Sequence, residues 1–166
     1  MDGEIRNYAD FINGFLSKAR GHLDVLSREA LNWRPLDGET NSVAAIAAHM
    51  CGVTIRWMVQ GLTGEEVGRD REGEFRAVVD EEGLIKFWGE RATLQSVIDR
   101  AQSTVESVSE GLQADALEDV ITMPRMATCT KRWAIIHTID ELAQHLGHME
   151  LTIQLWEDRE KTTLPN

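Results

Sequence analysis

The stretch Arg132–Glu160 constrains this chain most, because it holds no proline and a single glycine, Gly147. Nothing in it stops a helix, so it predicts one long helix. At about 100° per residue, with His137 set at zero, His148 falls near 20°, Glu141 near 40° and His145 near 80°. Ile135, Leu142, Leu146, Met149 and Ile153 gather between roughly 120° and 180° on the same projection. Asp140, Glu150, Gln154 and Glu157 take the remaining, solvent side. Glu141 and His145 therefore stand beside the apolar face, where the helix dips into a core.

Three further helices follow from the same periodicity. Ile5 to Leu26 carries Tyr8, Phe11, Ile12, Phe15, Leu16, Ala19 and Leu23 at helical spacing, with Gly14 and Gly21 inside it. Its apolar residues exceed one stripe, which is compatible with a homodimer. Asn41 or Ser42 can cap a second helix reaching about Leu62. The first half of that helix, Val43 to Val53, is apolar nearly all round, so it belongs at the centre. Arg91–Leu112 places Leu94, Val97, Ile98, Ala101, Val105 and Val108 for a third helix. No convincing strand run is present, and the expected fold class is all-α, a four-helix bundle forming one domain over 1–166.

Two connections join these helices at Ser27–Thr40, with Pro35 and Gly38, and at Gln113–Lys131, where Pro124 blocks continuation. Trp33, in the first, is large enough to cap the end of a bundle. Met123, Met126 and Cys129, in the second, are expected to pack. The long segment Thr63–Gly89 between helices two and three is rich in glycine, with a charged run from Glu65 to Glu74 that reads as solvated. A loop of this length is expected to form a lid or rim beside a site, anchored by Phe75, Phe87 and Trp88.

The chemistry centres on the histidines. A carboxylate and an imidazole four residues apart, as Glu141 and His145 are, lie one turn apart and can point at one atom. Such a pair suits a divalent transition metal, and one helix cannot easily close the coordination sphere alone. His49 is the only strongly polar group in the buried half of helix two, and a buried imidazole must find a partner. The two needs match. Gly52, one turn on, leaves room for a neighbour to approach closely. His148 is expected as a supporting partner or cavity-wall residue, and His137 as packed against a neighbouring helix. Trp57, Trp133 and Trp156 read as core, with Trp57, Trp133 and His137 the candidates for a substrate cavity. His22 is expected to be solvated or interfacial.

A net charge of −11 over 166 residues argues against nucleic acid or an anionic membrane as partner. The acidic start, Met1-Asp2-Gly3-Glu4, lacks the basic and apolar regions of a signal peptide, and Cys51 and Cys129 form no paired motif. Cytoplasmic localisation is expected.

Three segments together carry a resemblance: Leu31-Asn-Trp33-Arg-Pro35, Ala48-His49-Met-Cys-Gly-Val-Thr-Ile-Arg-Trp57, and Lys131-Arg-Trp133-Ala-Ile-Ile-His137-Thr-Ile-Asp-Glu141-Leu-Ala-Gln-His145-Leu-Gly-His148. Over most of its length the chain resembles the DinB/YfiT-like metalloprotein superfamily. The similar branch includes the metal-binding domain of mycothiol-dependent maleylpyruvate isomerases, which Gly73-Glu-Phe75-Arg-Ala also resembles. The resemblance implies an up-down-down-up bundle, often dimeric, with zinc or nickel held by His49, Glu141 and His145. It points to a transferase that activates a low-molecular-weight thiol for attack on an electrophile. A non-catalytic metal-binding stress-response or interaction module is the alternative, and a metal-dependent hydrolase a third reading.

Overall fold

The computed structural model describes residues 1–36, 40–123 and 128–163. Gly38, Pro124 and Met126, assigned above to connections and packing, lie outside the described residues. Four long helices dominate: α1 (Gly3–Leu23), α3 (Val43–Arg56, extended by a wider π turn over Trp57–Gly61), α5 (Leu94–Gly111) and α6 (Lys131–Thr163). Both α1 and α3 pack on α5 and on α6. The all-α class is thus as expected.

Each helix begins where a short polar side chain can accept a backbone N–H two or three residues on. Ser42, rather than Asn41, does this for α3, accepting from Ala45 N at 3.2 Å. Thr93 caps α5 through Ser96 N, and Thr130 accepts from Trp133 N at the start of α6. The core runs along α3, where every residue from Val43 to Ile55 is buried. Its alanines let α5 and α6 approach. The segment Val43–Gly61 is long and apolar enough to cross a membrane, yet 83% of it is buried inside the fold. Its apolarity is therefore that of a core helix.

The connections differ from expectation. The first helix ends at Leu23, and Ser27–Thr40 contains a separate short helix, α2 (Arg28–Asn32), capped by Ser27. Thr63–Gly89 is partly ordered as α4 (Arg71–Phe75) and β1 (Ile85–Phe87), which pairs antiparallel with β2 (Glu90–Ala92). A second pair joins β3 (Val120–Ile121) to β4 (Cys129–Thr130). Strands of two or three residues are too short for an alternating pattern to show, so none was legible. The turn between β1 and β2 is made by Trp88 and Gly89, at φ 49° and 89°. Left-handed backbone suits the glycine in such a turn but strains a tryptophan.

Trp57 is buried, as a core residue should be, whereas Trp133 is 44% exposed. Its position in the first turn of α6 leaves it at the bundle's edge. Trp33 follows α2 and packs its ring 5.7 Å from Trp156, with the Arg159 guanidinium over both.

Candidate metal centre

His49 is 2% exposed, with its ring held between three elements. Phe75, at the end of α4, stacks on it at 4.2 Å and 28°. His145 of α6 meets it edge to face at 4.6 Å. The Nε2 edge looks towards Glu141, whose Oε2 lies 3.8 Å away. Glu141 Oε2 is also 3.3 Å from His145 Nε2, as the one-turn spacing on α6 requires. One donor atom from each of His49, Glu141 and His145 falls within 4.8 Å of the others. Two nitrogens and one oxygen converging from two helices fit a divalent transition ion, and three protein donors leave a position open.

The opposite edge of His49 is held by a residue that the sequence placed in the solvated charged run. Glu74 of α4 is 1% exposed, and His49 Nδ1 lies 3.0 Å from its Oε2. Arg69 grips the same carboxylate with Nε at 2.7 Å and Nη2 at 2.6 Å, and the Trp88 indole donates to it at 2.9 Å. Burial acts to raise the Glu74 carboxyl's pKa, but donors from Arg69, His49 and Trp88 outweigh it and hold the value below the ordinary one. Arg69 and Glu74 thus leave the charged run they belong to and turn inward, so that run is not simply solvated. The carboxylate occupies the space that Gly52 vacates, where an added Cβ would overlap Oε1 and Cδ. Two hints pointed to it in advance: Gly52 itself, and the resemblance around Gly73-Glu-Phe75.

Burial lowers the pKa of His145 first, and the neighbouring His49 adds to this while Glu141 opposes it. The neutral imidazole, which is the metal-ligating form, is favoured. His148, one turn on, lies with its ring 5.6 Å from that of His145. Both line a cavity of about 600 Å³ whose other walls include Trp33, Ile46, Leu151 and Leu155. Trp57, Trp133 and His137 pack on one another elsewhere, and His137 reaches Glu141. His137 stacks on Trp133 at 4.8 Å, meets Trp57 at 4.9 Å, and brings Nε2 to 3.7 Å from Glu141 Oε1. A larger cleft of about 750 Å³ between the π turn and α5 contains none of the His/Glu group. His22 pairs at the surface with Glu150.

Burial and the charge of Glu74 push the Cys51 thiol far above its ordinary pKa, and burial also raises that of Cys129. Neither is an activated nucleophile.

The all-α fold and the family matched over most of the chain are DinB/YfiT-like, and the His/Glu/His group is a candidate metal site. Residues 9–155 match the mycothiol-S-transferase family, and the chain belongs to that family. A crystallised conserved protein from Enterococcus faecalis has a similar fold, with a TM-score of 0.63 over 93% of this chain and 97% of that one at 15% identity. No curated protein matches the chain.

Proposed function

We propose that the protein is a metal-dependent S-transferase that joins a low-molecular-weight thiol, mycothiol by family, to an electrophilic substrate. The observation that carries this reading is the convergence of His49, Glu141 and His145 within 4.8 Å, with His145 also lining the cavity of about 600 Å³. His49, Glu141 and His145 would hold the ion, zinc or nickel by their donor types. Such an ion would supply thiol activation, lowering the pKa of a thiol so that the nucleophile is available near neutral pH.

The protein's own groups do the rest. Trp33, Ile46, Leu151 and Leu155 offer an apolar wall for the carbon skeleton of the electrophile. The sulfur–carbon bond forms as the leaving group departs with its electron pair. His148, on the same wall, takes the thiol proton on its imidazole and passes it to water. Trp57, Trp133 and His137 present a second, aromatic surface beside Glu141, suited to the body of the thiol cosubstrate. Residues 1–166 act as one domain, in the cytoplasm where such thiols are held reduced. Phe11, 61% exposed on α1, is surface for a second copy to cover in a homodimer.

Elemental analysis of protein purified without a histidine tag or chelator tests the site, paired with conjugation of mycothiol to a haloalkyl electrophile. One tightly held equivalent of zinc or nickel, lost together with conjugation in Glu141→Ala, is the expected result. Unchanged occupancy in that variant removes Glu141 as a ligand. Full occupancy without conjugation by any thiol leaves a metal-binding module rather than an enzyme.

A further inference from the structure

Glu74 carries a charge in a fully enclosed place, which is costly unless every lone pair is used. All of them are. Oε1 accepts from Arg69 Nε at 2.7 Å and from Trp88 Nε1 at 2.9 Å. Oε2 accepts from Arg69 Nη2 at 2.6 Å and from His49 Nδ1 at 3.0 Å. An ionised carboxylate is acceptor-only, a guanidinium and an indole N–H are donor-only, so three of these four bonds admit one polarity.

The fourth is then determined. Arg69 Nη2 also lies 3.2 Å from His49 Nδ1. Were Nδ1 the acceptor of that contact, its lone pair would face the ionised Oε2 at 3.0 Å with no proton between them. The arrangement is attractive only if Nδ1 carries the hydrogen and donates it to Oε2. In the neutral imidazole, the form that can ligate, that leaves the lone pair on Nε2, the atom turned towards Glu141 Oε2 at 3.8 Å. Stacking of Phe75 on the ring at 4.2 Å fixes the plane in which this lone pair points.

We propose that Glu74 is a positioning residue, held by Arg69 and Trp88, that presets His49 as the Nδ1–H tautomer so that Nε2 is free to ligate. The ligation part rests on the metal reading above; the tautomer part stands without any ion. Outer partners of ligating histidines act in this way, and their loss weakens metal affinity by roughly 10–100-fold. The proposal also accounts for the loop. Arg69, Glu74, Phe75 and Trp88 all come from the segment between α3 and α5, and all four converge on one imidazole or its partner.

Glu74→Gln keeps the shape and breaks the logic. An amide has one acceptor and one donor end, while four donors converge on the site. With its NH2 towards His49, Nδ1 must accept and the proton moves to Nε2. With its NH2 the other way, it opposes Arg69 Nε and Trp88 Nε1.

The test uses the full chain with selectively ¹⁵N-labelled histidine. Long-range ¹⁵N–¹H correlation in the metal-free protein reads the His49 tautomer, and competition with a chromogenic chelator reads Zn²⁺ affinity. Nδ1–H in the wild type, lost or mixed in Glu74→Gln, with Zn²⁺ affinity down roughly 10–100-fold, is expected. Trp88→Phe, which leaves Oε2 untouched, should keep the tautomer. An Nε2–H tautomer in the wild type overturns the proposal, and this reading needs no variant to fold. Glu74→Gln with wild-type tautomer and affinity overturns it too. A wild type that is Nδ1–H but takes up no Zn²⁺ removes the metal reading and, with it, the positioning role.

Discussion

Gly52→Ala separates a packing role for glycine from its usual cost. In most helices the change stabilises, because alanine has about 0.5–1 kcal/mol better helix propensity. At position 52 the new methyl overlaps Glu74 Oε1 and Cδ and lies 2.9 Å from Oε2. Ordinary carbon contacts need about 3.5 Å or more, so the carboxylate must retreat by roughly 1 Å or the helix must shift. Retreat stretches or breaks some of the four hydrogen bonds on Glu74, each buried group left unsatisfied costing about 1–3 kcal/mol. Losing two bonds and gaining the propensity term gives a net loss of about 1–5 kcal/mol. For a chain of this size that is a fall in Tm of roughly 2–20 °C. Gly14→Ala is the matched control, since a Cβ there meets nothing within 4 Å. It should gain roughly 0.5 kcal/mol in urea denaturation while Gly52→Ala loses, and only Gly52→Ala should weaken Zn²⁺ binding. Equal gains at both positions would refute the account of why Glu74 is held where it is.

Three further outcomes are expected. Because both thiols have raised pKa values, the double variant Cys51→Ala/Cys129→Ser should conjugate mycothiol at near the wild-type rate; abolished turnover would point to a protein nucleophile instead. Leu155→Arg, at the apolar cavity wall, should lower the conjugation rate for apolar electrophiles at least several-fold with metal content unchanged, checked by elemental analysis alongside kinetics. Acid should destabilise the metal-free protein in two stages. His145, whose folded pKa is depressed, contributes stability that is present above about 6.5 and lost as pH falls below it. Glu74, also depressed, contributes stability that is present above about 4.3 and lost as pH falls further through its lower folded value. Denaturation curves at a series of pH values should show the upper stage diminished in His145→Ala.

The three donors were legible because helices repeat. Glu141 and His145 fall on one stripe of α6 by phase alone, and His49 stood out as the one strongly polar group on a helix apolar all round. Glu74 was hidden for the opposite reason. It sits in an aperiodic, charged stretch whose residues look alike in sequence, and only the contact across to Gly52 selects it for burial. Arg69 follows Glu74 inward as its counter-charge, so neither can be assigned without the other. Trp88 depends on a turn whose backbone disfavours it, a choice no propensity would make. The strand pairs escaped because two or three residues carry no period, and the exposure of Trp133 because its place at the start of α6 outweighs its size.

The enclosure of His49 has a kinetic consequence. Among the described residues, one ring face is covered by Phe75 and the Nδ1 edge is taken by Glu74, so an ion held as proposed would reach Nε2 from the side of Glu141 and His145. Capture would then be sequential, with α6 meeting the ion first and the buried imidazole completing the chelate. Release runs in reverse. The lifetime of a bound ion would be set by detachment from His49, and the capture rate by how freely the Glu141 and His145 side is reached. Substituents that narrow that side should slow loading and unloading together and leave the equilibrium constant nearly unchanged.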